Sequence, residues 1–173
     1  MMDIPTLARR IKEIAYLEGD FTLRSGKKSP YYLDKYLFET QPDILAALGA
    51  HLAGRRSGAT VRIGGAELGG VALAAAASLA SGLPFFIVRN ARKGHGTNRV
   101  IEGTMAAGDA VLLVEDIATT GGAVLAAAKI ITAAGGRVEK VVAVIDRQEG
   151  ARENIEKEGF IFESILTRQD LGI

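Results

Sequence analysis

The sequence predicts an α/β fold, a parallel sheet flanked by helices, with a small helix-and-hairpin hood at the N-terminal end. Three observations predict it. A short strand at Val61-Arg62-Ile63 is followed by short, mainly apolar runs at 85–88, 110–114 and 138–145, which read as strands buried on both faces. Segments of helical periodicity at 69–81 and 121–134 alternate with those runs, the order that builds parallel sheets. Glycine, 21 of 173 residues, gathers at the edges of the runs, at Gly64-Gly65, Gly69-Gly70, Gly94 and Gly96, Gly121-Gly122 and Gly135-Gly136. There it serves turns of positive φ or lets backbone come close to a ligand.

The elements follow in chain order. Residues 3–18 carry Ile4, Leu7, Ile11 and Ile14 near helical spacing, with Tyr16 and Leu17 continuing the stripe. At 20–34, Phe21, Leu23, Tyr31 and Leu33 flank Ser25-Gly26, the pattern of a short hairpin. A helix is expected over 43–57, where His51 beside Leu52 is structural. The helix at 121–134 is carried by its alanines with Val124, Leu125, Ile130 and Ile131. No repeat and no Pro/Ser linker divides the chain, so 1–173 reads as one domain with about 1–40 contributing the hood.

Composition removes several function classes. Lys+Arg number 21 and Asp+Glu 20, a balance that argues against nucleic-acid binding as the main task. With no cysteine there is no disulfide framework, thiolate metal site or cysteine nucleophile. Met1 to Arg10 holds Asp3 and Pro5 and no long apolar core, so no signal peptide is expected. The longest apolar stretch, 71–80, falls short of the ~20 residues a membrane span needs. A cytoplasmic protein acting on small molecules is the expectation.

In open α/β sheets, ligands sit beyond the C-terminal ends of the strands, here after Ile63, Val88, Val114 and Ile145. The strongest segment runs from Val111 to Ala123. A buried strand ends in Glu115-Asp116, and Thr119-Thr120-Gly121-Gly122 opens a helix. Free N–H groups at a helix N-terminus attract anions, glycines admit a phosphate, and threonine hydroxyls add donors. Two acids beside such a cradle suit a sugar's vicinal hydroxyls or a magnesium ion on a polyphosphate. The plain alternative is a strand end followed by a threonine cap. Neither Gly-x4-Gly-Lys-Ser/Thr, Gly-x-Gly-x-x-Gly nor His-Glu-x-x-His occurs, so phosphate is bound by another scheme.

Three weaker segments accompany it. Residues 89–99 hold Arg89, Arg92, Lys93 and Arg99 with His95, and no acid occurs from Leu68 to Ile101. A mobile basic loop at a strand end closes over anions and stabilises charge on a leaving group, although such loops alone are usually solvated surface. The turn from Gly64 to Gly70 offers further N–H groups. Arg147, just past a strand end, suits a planar carboxylate, with a surface salt bridge as the alternative.

The acid pair followed by Thr-Thr-Gly-Gly resembles the phosphoribosyl-pyrophosphate (PRPP) motif of the type I phosphoribosyltransferases. Within that superfamily four stretches are similar to orotate phosphoribosyltransferase, in the same order along nearly the whole chain. They are Phe21 to Tyr32 (with Arg24-Ser25-Gly26-Lys27-Lys28-Ser29-Pro30), Lys93-Gly94-His95-Gly96, Ile101-Glu102-Gly103 and Asp146-Arg147-Gln148-Glu149-Gly150. The resemblance implies transfer of the 5-phosphoribosyl group from PRPP to orotate, giving orotidine 5′-monophosphate and pyrophosphate in UMP synthesis. It also implies Mg2+, held mainly by PRPP and water, and a homodimer whose mobile loop is shared between subunits.

Carried over residue by residue, the resemblance makes Lys93, His95, Glu115 and Asp116 catalytic. Arg89, Ile117, Ala118, Thr119, Thr120, Gly121, Gly122 and Ala123 join them around PRPP. Thr119, Arg147, Tyr32 and Arg24 would meet orotate. Three positions depart from the family pattern: Asn90 and Leu68 stand where lysines are common, and Arg24 replaces a lysine while keeping its charge. Two other functions stand beside this one, a phosphoribosyltransferase for a purine base and a non-catalytic PRPP sensor. The sensor would need an effector surface that the near-neutral charge does not supply.

Overall fold

The computed structural model describes residues 2–22, 26, 28–89 and 99–173. Asp3 accepts a hydrogen bond from the Thr6 N–H and starts α1 (Ile4–Ala15). The chain then turns directly into a two-stranded antiparallel ribbon, β1 (Tyr16–Thr22) and β2 (Lys28–Leu33). The first helix is therefore shorter than its apolar stripe suggested. Tyr16 leaves the helix to pair with Leu33, and its ring stacks on Tyr31 at 5.4 Å.

Two helices follow, α2 (Lys35–Glu39) and α3 (Pro42–Ala53), and then the alternating core. It comprises β3 (Arg62–Ala66), α4 (Gly69–Ser81), β4 (Phe85–Val88), β5 (Ile101–Glu102), β6 (Ala110–Ala118), α5 (Gly122–Ala133), β7 (Arg137–Asp146), α6 (Ala151–Lys157) and β8 (Phe162–Thr167). The main sheet has the order β5-β4-β3-β6-β7-β8. All neighbours are parallel except β5, which pairs antiparallel on β4. The expected α/β architecture is observed.

Alternation along β6 divides the core in two. Leu112 and Val114 pack with Leu7 and Ile11 of α1, Leu48 of α3 and Leu73 of α4. Val111 and Leu113 face the opposite side, with Val124, Ala128 and Ile131 of α5 and Ile155 of α6. Because α1 shares the first core, the β1–β2 ribbon is the described part of the hood that forms a separate sheet, anchored to the core through Leu33. β6 also runs four residues past Val114, so the acid pair lies inside the strand rather than beyond it.

Candidate active site

At the end of β6 the chain passes through Thr119 and Thr120 into α5, whose N-cap is Gly121 with φ +78° and no side-chain capping bond. The first N–H groups of a 12-residue helix therefore face outward without a side-chain acceptor, an arrangement made for an anion. A side chain on Gly121 would be strained by its φ and pressed against Ile155 at 3.0 Å. From α6, the Asn154 amide donates to the Thr120 carbonyl at 2.9 Å and holds the turn. Glu115, Ile117, Ala118, Thr119, Thr120, Gly121, Gly122, Ala123 and Val124 line a cavity of about 230 Å³, so the expected phosphate residues are brought together.

Glu115 faces this cavity, while Asp116 turns toward the first core. Asp116 is 3% exposed and its position is over-determined. Oδ1 accepts the Ile117 N–H, Oδ2 pairs with Lys35 Nζ at 2.5 Å, and the carboxylate rests where a Cβ on residue 69 would stand. Gly69 is thus required by Asp116 itself, and Gly65 by the close passage of the Gly70 backbone. Gly65 and Gly69 answer to protein packing, in keeping with the plain reading of this stretch as a tight turn. Glu115 keeps Oε2 buried without a hydrogen-bond partner. Burial, reinforced by the Asp116 charge, raises its carboxyl above the usual range against the pull of Lys35. Burial alone would lower the Lys35 ammonium, but the Asp116 hydrogen bond and charge outweigh it and raise the group.

One strand over, β7 ends beside β6 with Ala118 paired to Asp146, so Thr119 and Arg147 leave the sheet next to each other. The Arg147 guanidinium donates to the Tyr31 hydroxyl at 3.1 Å, lies 5.4 Å from the Tyr31 ring centroid and pairs with Glu149 at 3.1 Å. Tyr31 is the tyrosine the structure brings to Arg147. Tyr32 points to the other face of the ribbon, where it is 43% exposed and tilts against Phe21. Arg89, at the end of β4, lies 3.7 Å from Glu67 in the β3–α4 turn and keeps Nε buried without a partner. Leu68 of that turn is exposed. Arg24, Lys93, His95 and Asn90 lie outside the described residues.

Lys35 and Asn154 are the site residues that sequence reasoning missed, and neither carries a motif signal of its own. Gly69 and Tyr31 lay within stretches already singled out, without the partners the structure gives them. Among the described residues no group of three or more His, Asp or Glu side chains is placed to hold a metal ion. None of the described helices is long and apolar enough to cross a membrane.

Comparison with known proteins agrees with this geometry. The phosphoribosyl transferase domain family matches residues 38–170. The chain is similar to the orotate phosphoribosyltransferase of Methanocella arvoryzae, 46% identical over 88% of this chain and 87% of the relative. It is similar also to that of Methanocaldococcus jannaschii, 43% identical over 95% and 94%. Among solved structures, Mycobacterium tuberculosis orotate phosphoribosyltransferase in complex with PRPP superposes with a TM-score of 0.83 at 33% identity, covering 99% of this chain and 100% of that one. Adenine phosphoribosyltransferase from Leishmania donovani, at 18% identity and a TM-score of 0.73 over 98% and 82%, shares the fold alone. By the domain match, the identity and the coverage together, the chain belongs to the phosphoribosyltransferases, and within them to the orotate phosphoribosyltransferase family.

Proposed function

We propose that the chain transfers the 5-phosphoribosyl group of PRPP to orotate, releasing pyrophosphate and orotidine 5′-monophosphate in pyrimidine biosynthesis. The observation that carries this reading is a guanidinium, Arg147, set beside an uncapped helix N-terminus at the ends of two paired strands. The helix terminus suits the 5-phosphate and the guanidinium suits the orotate carboxylate. Thr119 to Ala123 cradle the phosphate, and Glu115 and Asp116 receive the ribose hydroxyls. The Asp116 charge favours positive charge developing at the anomeric carbon as its bond to pyrophosphate breaks. The electron pair leaves with the pyrophosphate, whose charge is met by Lys93 and His95, with Arg89 at the end of β4.

Tyr31, rather than its neighbour Tyr32 on the other face of the ribbon, aims Arg147, and Thr119 and Arg24 add contacts to the base. The acid pair, with Asp116 already engaged by Lys35, would meet a metal that arrives on the substrate. Mg2+, held by PRPP oxygens and water, would supply charge neutralisation of the pyrophosphate. The reading includes one domain over 1–173 with about 1–40 contributing the hood, a cytoplasmic location, and a homodimer in which the loop carrying Lys93 and His95 is shared between subunits; its support is the family resemblance.

The test is loss of orotate absorbance with purified protein, PRPP and Mg2+. Consumption abolished by a chelator, with no turnover of adenine, guanine or hypoxanthine, is the expected outcome. Turnover of a purine, or PRPP binding without consumption of any base, would overturn the assignment to orotate.

A further inference from the structure

We infer that Lys35 is a positioning residue of the PRPP site, whose ammonium group fixes the Asp116 carboxylate for the ribose hydroxyls. The inference rests on the reading of this site as one for PRPP and deepens it. Asp34 accepts the Tyr36 N–H and starts the five-residue α2, which projects Lys35 toward β6. The ammonium reaches Asp116 Oδ2 at 2.5 Å and lies 5.3 Å from the centroid of the Tyr36 ring. Its side chain is 29% exposed and that of Asp116 4%, so the pair is largely shielded from solvent and salt.

Three acids face this one ammonium: Asp116 and Glu115 from β6 and Glu39 from α2. Glu39 is buried with Oε1 unpartnered, and Glu115 has Oε2 unpartnered. Without Lys35, Asp116 would be an uncompensated carboxylate beside two further acids, which favours its turning away or taking up a proton. With Lys35 on Oδ2, the Ile117 N–H on Oδ1 and the Gly69 backbone beneath, it has one orientation. The side chain of Lys35 is committed to that pairing, so it acts on PRPP through Asp116 rather than by touching it.

The test compares the wild type, Lys35→Met, Lys35→Arg, Asp116→Asn and the Lys35→Met/Asp116→Asn double variant. Both substrates are varied in steady state, and PRPP affinity is measured by calorimetry. Lys35→Met is expected to lose about 10- to 100-fold in kcat/KM for PRPP, the usual cost of removing a partner that orients a ligand-binding group. The KM for orotate stays within about two-fold, because Arg147 is untouched. Lys35→Arg restores most of the loss, and Lys35→Met adds little once Asp116 is already Asn.

A PRPP loss as large in the Asp116→Asn background as in the wild type would overturn the inference, since Lys35 would then act independently of Asp116. So would an equal loss toward both substrates, or a folded Lys35→Met enzyme with unchanged kcat/KM. If Lys35→Met does not fold, Lys35→Gln carries the same comparisons. Calorimetry with PRPP alone keeps the two readings separable. A wild type that binds PRPP but leaves orotate untouched defeats the assignment to orotate, whereas unweakened PRPP binding by Lys35→Met defeats this inference.

Discussion

Glu39, 4% exposed at the end of α2, has Oε1 buried without a partner and lies among Asp116, Lys35 and Asp34. Burial first, then the Asp116 charge, raises its carboxyl from about 4.5 to about 8, against the pull of Lys35. The native state therefore holds a proton that the unfolded chain releases. Stability conferred by that proton is complete below about 4.5 and is lost as pH rises through about 8. Glu39→Gln should melt with the wild type near pH 4.5 and above it near pH 8.5 in a series of thermal scans (both about). Glu115 shifts in the same direction and leaves a remaining slope in both proteins. Parallel melting profiles for the two proteins would show Glu39 ionised throughout. Such residues are hard to see in a sequence. The acid pair, Thr119 to Gly122 and Arg147 are legible because strand end, turn and helix start are contiguous in the chain. Lys35 meets Asp116 from 81 positions away and follows no motif. Tyr31 and Tyr32 are adjacent, and alternation sends them to opposite faces without saying which face meets the site.

Among the elements, those with a sustained pattern were legible: α4 and β4 have the expected bounds, and β3, β6, α5 and β7 lie where the apolar runs put them. Those missed are short, namely the five residues of α2, two of β5 and seven of α6, or, like β8, stand in a mixed C-terminal stretch. Their form is set by neighbours rather than by local pattern. Yet α6 matters to the site. It carries Asn154, which ties the Thr120 carbonyl, and Ile155, which backs Gly121. Asn154→Ala removes one partly exposed hydrogen bond, worth about 1 kcal/mol of stability. Its larger effect should be on the phosphate cradle, with the KM for PRPP rising about three- to ten-fold while that for orotate holds. A change confined to melting temperature would make Asn154 a purely structural tie.

The whole molecule places the candidate site where its two cores meet. Helices α1, α3 and α4 cover one face of the sheet and α5 and α6 the other, and the acid pair and phosphate turn leave from the strand between them. PRPP bound there should stabilise both cores as a unit. At about 100 times its Kd, with Mg2+, the expected gain is ~2.7 kcal/mol, a rise of about 5–11 °C in Tm for a chain of this size. A shift below about 1 °C in differential scanning calorimetry at that saturation would remove PRPP as the ligand of this fold.

The position of β6, fourth in the order and hydrogen-bonded on both edges to β3 and β7, reaches beyond geometry. Its amides cannot meet solvent by fraying of an edge. They exchange hydrogen only when the sheet itself opens, so they belong to the slowest class in the protein. A site rooted in such a strand has no partly active, partly melted form. Weakened variants should lose turnover along the same cooperative curve as their secondary structure, and the specific activity of whatever remains folded should stay constant until the last of it is gone.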